Sequence, residues 1–247
     1  MENESNIIKV VAAVKKAKNI IALTGAGISV ESGIATFRGK GGLWEKYDPE
    51  EYAHIISFIK RPEKSWIMLK EMGEQIFNAK PNLAHTRLTK LQEMGKLNWI
   101  ITQNVDNLHQ EAGSEHIIEF HGNYKTLRCI RCHKQFPFDK EQLAAIPPLP
   151  RCTCHGILKP NVVLFGEVPS IESIELAEKA AMHCDIILVI GTSGLVYPAA
   201  NLPIIAKRHH ASIIEINTEP SELTDYLTDY FLQGSAGDVL SKIVNNM

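Results

Sequence analysis

The sequence predicts an α/β fold, a mainly parallel sheet with helices on both faces. Three observations carry this. Four short apolar, β-branched runs each end in a Gly, Asn or Ser turn signal. Stretches of helical spacing lie between them, and strands alternating with helices imply parallel pairing. The chain has 247 residues, 45% of them hydrophobic, enough for one large core and a small inserted unit.

In order, residues 7–17 show helical spacing, and NIIALTG at 19–25 reads as a buried strand closed by glycine. The segments 98–104, 184–193 and 211–217 are the other three strands, with helical stretches at 83–95 and 170–182 among those between them. Two regions break the rhythm. Residues 38–84 hold Gly-rich and Trp/Tyr-bearing segments, then a helical stretch. From Asn123 the chain carries four cysteines and the run IPPLP, with little helical period, which reads as an inserted module.

The net charge of −2 leaves no electrostatic footprint for sequence-independent nucleic-acid binding. No apolar stretch reaches the roughly 20 residues of a membrane span. The N-terminal MENESNIIKVV has no basic region ahead of an apolar stretch. The expectation is a cytoplasmic protein with no membrane partner.

After the first strand comes TGAGIS, residues 24–29. Gly25 and Gly27 allow a tight turn and a close approach to a diphosphate. A helix starting near Ser29 would point its positive end at that anion. The third glycine of G-x-G-x-x-G is missing, since Val30 stands there. By itself the loop is equally an ordinary strand-to-helix turn. The following 31–44, with three glycines after Arg38, reads as a flap carrying Phe37, Arg38 and Trp44, or as a solvated loop with structural aromatics.

Gln103, Asn104 and Asp106 follow the second strand, where open α/β sheets bind ligands. They suit a ribose or an amide, and equally suit turns and helix caps. Cys129 and Cys132 form C-x-x-C, and after 19 residues Cys152 and Cys154 form C-x-C. Two close pairs at this separation fit a structural zinc ion bound by four thiolates. The second pair is one residue short of the commoner spacing, so His133 and His155 are alternative ligands.

GAGIS followed by SGIATFRG resembles the signature of the sirtuins, the NAD-dependent protein deacylases. ITQNVDNLHQEAG at 101–113, EFHGN at 119–123, the two cysteine pairs, NVVLFGE at 161–167, GTSGLVYPAA at 191–200 and IIEIN at 213–217 continue the likeness in family order. The resemblance implies a Rossmann-like domain from 1–37, 85–122 and 158–247. It also implies a small zinc-ribbon/helical domain made by insertions: a flexible cofactor loop and helices at 38–84, and a zinc module at 123–157.

It further implies NAD as co-substrate and one structural Zn2+, with acyl-lysine peptides or proteins as partners. The cofactor-binding set is Gly25, Ala26, Gly27, Ser29, Phe37, Arg38, Trp44, Gln103, Asn104, Asp106, Gly191, Thr192, Ser193, Asn217, Glu219 and Ala236. His121, one of ten histidines, takes the place of the general base, and Asn104 that of a catalytic partner in the nicotinamide pocket. Val163, Phe165, Gly166, Gly194 and Val196 line the acyl-lysine tunnel or pair with the substrate peptide as an added strand. One family branch uses a Tyr and an Arg to hold a succinyl or malonyl carboxylate. Leu69 and Met72 stand at those positions, so the expected acyl group is acetyl or a longer apolar chain. Ala35 stands where proline is usual, and His155 where glycine is frequent. A looser flap is expected. ADP-ribosyl transfer and non-catalytic NAD sensing are the competing activities.

Overall fold

The structure is a computed structural model and describes residues 2–247. Six parallel strands form the main sheet: β1 (Ile20–Thr24), β2 (Leu97–Thr102), β3 (Ile117–Glu119), β7 (Ile186–Ile190), β8 (Ser212–Asn217) and β9 (Tyr230–Gln233), in the order β3-β2-β1-β7-β8-β9. This is the doubly wound order, and it reverses direction between β1 and β7. All five residues of β1 and all five of β7 are buried, as continuous apolar runs require when both faces are covered.

Alternation along each strand feeds two separate cores. Ile20 and Ala22 face helices Glu2–Lys16, Leu83–Glu93 and Ala236–Asn245. Ile21 and Leu23 face helices Ile171–His183 and Asn201–Arg208. Strands β3 and β9, at the two edges, are short and had not been anticipated; HIIEF and the polar-flanked YFLQ lack a clear period.

A second, antiparallel sheet runs β5-β4-β6, built from β4 (Gly122–Cys129), β5 (Gln135–Pro137) and β6 (Leu158–Val162). It shares one core with helices Ile55–Lys60 and Pro62–Asn78, through Phe58, Trp66, Leu69, Tyr124, Leu127 and Phe138. The two insertions thus bury their apolar faces on each other. One boundary shifts: 158–162, expected with the large sheet, belongs to the small one. It pairs with β4, and Trp66 Nε1 donates to Leu158 O at 3.1 Å.

The loop after β1 also differs from expectation. Ala26–Ser32 is a 3₁₀ helix, not the start of an α-helix, and Gly33 ends it at φ 84°. Ser, Val and Gly in this short stretch favour α-helix weakly. No helix among the described residues is long and apolar enough to cross a membrane.

Candidate active site

The carboxyl ends of β1, β2, β7 and β8 open into a cleft of about 1060 Å³ bounded on its far side by the small unit. At its floor the β1 and β7 loops cross backbone to backbone. A Cβ at Gly27 would lie 2.6 Å from Gly191 Cα, and one at Gly25 would lie 2.8 Å from Gly191 O. Gly191 itself has φ 59°. The glycines are therefore demanded first by each other, and only then by a ligand. Gly25 N–H donates to Ile190 O and Gly27 N–H to Gly191 O. Ala26, at the first position of the 3₁₀ helix, lines the cleft, and its N–H has no partner within that helix. A Gly27→Ala variant should lose about 1–3 kcal/mol through overpacking, measured as a lower urea midpoint together with weaker dinucleotide binding.

A string of polar side chains laces the strand ends together. Gln103 Nε2 donates to Thr192 Oγ1 at 2.9 Å, and Asn217 Nδ2 to Thr192 O at 3.2 Å. Asn104 is buried and uses both amide hydrogens, on Gly25 O and Ser29 Oγ, each at 3.1 Å. Its Oδ1 is the atom left for a ligand, so this amide offers an acceptor. Ser29 Oγ donates in turn to Asp106 Oδ2 at 2.7 Å. Burial pushes the Asp106 carboxyl above the usual carboxylate range, against the bonds from Leu108 N–H and Ser29 that favour its charged form. Ser29 and Asp106, expected at the cofactor, stand behind Asn104 and do not line the cleft. They hold the amide that does.

His121 is half-buried, and its Nδ1 lies 3.2 Å from Gln103 O. A carbonyl only accepts, so Nδ1 carries the proton and Nε2 keeps its lone pair. Burial lowers the pKa of this ring, opposed by the Gln103 contact. The neutral form therefore prevails at neutral pH.

The flap folds over this end. Leu43 N–H donates to Thr36 O and Trp44 N–H to Phe37 O. The rings run Phe37–Trp44–Phe165 with centroids 5.2 and 5.9 Å apart. At Ala35, where proline is usual, the N–H that proline lacks donates to Gln75 Oε1 at 3.2 Å. The expected looseness is met by a tether.

Of the remaining expected residues, Gly25, Ala26, Gly27, Phe37, Arg38, Trp44, Gly191, Thr192, Ser193, Asn217, Glu219, Ala236, Leu69, Met72, Val163, Phe165, Gly166 and Val196 all line the cleft. Gly194 does not. It takes φ 71° and packs its Cα side on Leu223, turning the chain so that Leu195, Val196 and Tyr197 reach the cleft. Sequence reasoning missed Ala53, Met68 and Val105 at the apolar end, and the 218–225 loop apart from Glu219. That loop follows the carboxyl end of β8 and was findable on that ground; Ala53 carries no local signal.

The four cysteine sulfurs lie within 4.8 Å of one another, with Cys129–Cys154 at 3.5 Å and Cys132–Cys152 at 3.6 Å. Tetrahedral thiolates at the usual zinc–sulfur distance sit roughly 3.8 Å apart, and a disulfide would need about 2 Å. The donor set fits zinc. His133 and His155 are exposed and outside the cluster. His155 takes φ 64°, the left-handed turn that the glycine usual there adopts freely.

Residues 25–198 match the Sir2 family. The chain is 44% identical to NAD-dependent protein deacylase 1 of Archaeoglobus fulgidus over 97% of each chain. A crystal structure of a Sir2 homolog–NAD complex superposes with TM-score 0.90 at 44% identity, covering 96% of this chain and 92% of that one. A Sir2 variant with deacetylated p53 peptide and 3′-O-acetyl ADP ribose does so with TM-score 0.91 at 32% identity, covering 97% of each. The fold, the crossed glycine loops and these matches together place the chain in the Sir2 family.

Proposed function

We propose that this chain is an NAD-dependent protein-lysine deacylase acting on neutral acyl groups. One observation carries the reading. A single cleft brings together the Gly25–Gly27/Gly191 turn, a histidine with a bare Nε2, and an apolar end without a cation. The NAD-dependent deacylase that this chain resembles over nearly its whole length supports it.

The residues fit NAD. Ala26 N–H and the 191–193 turn would hold the diphosphate, and Asn217 and Glu219 the adenosine ribose, with Ala236 at the adenine. Gln103 and the Asn104 Oδ1 acceptor would hold the nicotinamide ribose and amide. When bound, NAD supplies the ribose carbon that exchanges nicotinamide for the acyl oxygen. His121 Nε2 takes the proton of a ribose hydroxyl. Phe37, Trp44 and Phe165 keep water from that carbon. Val163–Glu167 and Leu195–Tyr197 would hold the substrate peptide between them as an added strand. The four cysteines would hold one Zn2+ closed to substrate, and thiolate ligands without disulfides suit a reducing, cytoplasmic compartment.

The acyl end is formed by Ala53, Met68, Leu69, Met72 and Val105. The only Lys or Arg among the described cleft residues are Arg38 and Lys40, both on the flap. An unpaired carboxylate here would cost at least about 1–3 kcal/mol. Succinyl-lysine peptide should therefore react at least about fivefold more slowly than acetyl-lysine peptide. Mass spectrometry of products from peptides of varied acyl length tests both claims. Nicotinamide and O-acyl-ADP-ribose in equal amounts are expected. ADP-ribosylated protein without deacylation would point to transferase activity instead, and a succinyl preference would overturn the acyl assignment.

A further inference from the structure

Lys159 is a lysine with only 4% of its surface exposed, rare for a residue whose ammonium prefers water. It stands in β6, and its side chain crosses to the segment that follows. Nζ donates to Val162 O and pairs with Glu167 Oε2 at 2.9 Å. The same Glu167 oxygen accepts Leu164 N–H at 2.9 Å. Glu167 N–H returns to Leu164 O at 3.0 Å, closing a turn with Gly166 at φ 81°.

The segment between is pinned at other points by backbone alone. Val163 N–H donates to His121 O, and Phe165 N–H to Ala53 O, both at 2.9 Å. Ile55 N–H donates to Phe165 O at 2.9 Å. Glu167 is thus the one side chain bonded to this turn's backbone, and Lys159 is its cation. The pair also forms a wall. Glu167, Val162 and Val163 face the active cleft on one side and, with Lys159, a second cleft of about 830 Å³ on the other. This second cleft lies behind the segment, so on that side the Lys159–Glu167 fastening adds to the three backbone bonds in fixing its shape.

We infer that Lys159 is a positioning residue that, through Glu167, holds the 163–167 segment in the shape that receives the acyl-lysine peptide. The inference rests on the deacylase reading and deepens it. A backbone that pairs with a peptide must present its free N–H and C=O groups in register. Releasing one end lets the turn unwind, so peptide affinity falls while the nucleotide end is untouched. None of the dinucleotide-facing residues bonds to Lys159 or Glu167.

Steady-state kinetics of Lys159→Met, Lys159→Arg and Glu167→Gln will test this, varying acetyl-lysine peptide at saturating NAD and NAD at saturating peptide. Lys159→Met should raise the peptide KM about tenfold with the NAD KM within about twofold. Lys159→Arg, which keeps the charge, should restore most of the peptide KM. Glu167→Gln preserves shape and should raise it severalfold, which decides the matter should Lys159→Met not fold. Peptide KM unchanged in folded variants overturns the inference, as does a parallel rise in the NAD KM or collapse of all three variants, since either marks a general brace. Absence of deacylation by the unaltered protein overturns the deacylase reading and this inference with it. Activity in the unaltered protein with unmoved peptide KM in the variants overturns the inference alone.

Discussion

His121→Ala should lower deacylation turnover by about a hundred- to ten-thousand-fold, the usual contribution of a placed general base, while the chain stays folded. The ring makes one hydrogen bond, to Gln103 O, packs edge-on against Phe120 and lines the cleft. Its removal leaves space open to solvent instead of a sealed void. The same group sets the acid limb of the pH profile. Burial holds its pKa below the ordinary 6.5. As pH falls through that lowered value, Nε2 gains a proton and the base is lost. As pH rises above it, kcat/KM should level off, with the midpoint of the limb below about 6.5. In His121→Ala the acid limb should vanish along with the rate. A variant within tenfold of the parent, or one keeping the same acid limb, would remove His121 from the chemistry.

How much of this site is legible in the sequence depends on the kind of signal each residue leaves. Ile20–Thr24 and Ile186–Ile190 are runs of buried β-branched and aliphatic residues, so strand identity and parallel pairing were legible. The edge strands are not, because a three-residue strand such as Ile117–Glu119 is too short to show a period. Gly25 and Gly27 are legible in the sequence as a place of close approach, but what approaches them is not. A glycine records that something comes close, and only the fold shows that it is Gly191. The resemblance puts Ser29 and Asp106 at the ligand, and for Asp106 so does its place beyond a strand end. Packing reveals that they orient Asn104 instead. Lys159 left no trace: a lysine beside Pro160 reads as surface, and its burial is created by pairing between segments far apart in the chain. The four cysteines were the clearest signal, since thiolates at metal spacing have few other uses in a reducing setting.

Stripping zinc, or Cys129→Ser, should unfold the small unit and abolish peptide turnover, while ADP-ribose still binds within about tenfold of its original affinity. The three-stranded sheet is small, with β5 only three residues long. Cys129 and Cys152 are themselves part of the core that Trp66, Phe58 and Tyr124 complete. Apparent zinc affinity in small four-ligand sites is worth roughly 10–16 kcal/mol, as much as the whole stability of a typical domain. Loss of the ion should therefore undo that core, and with it the positions of Leu69, Met72 and Trp44. The glycine turns are carried by the six-stranded sheet, whose two cores contain no cysteine ligand. Chelation followed by near-ultraviolet dichroism, and by fluorescence of a variant keeping Trp66 as its one tryptophan, should show loss of the small core, with ADP-ribose titration reporting the surviving cradle. Re-added zinc should restore both core and turnover. Full deacylation by protein shown to be metal-free would remove the ion from any structural role, and loss of ADP-ribose binding in step with the small core would mean that the two units fold as one.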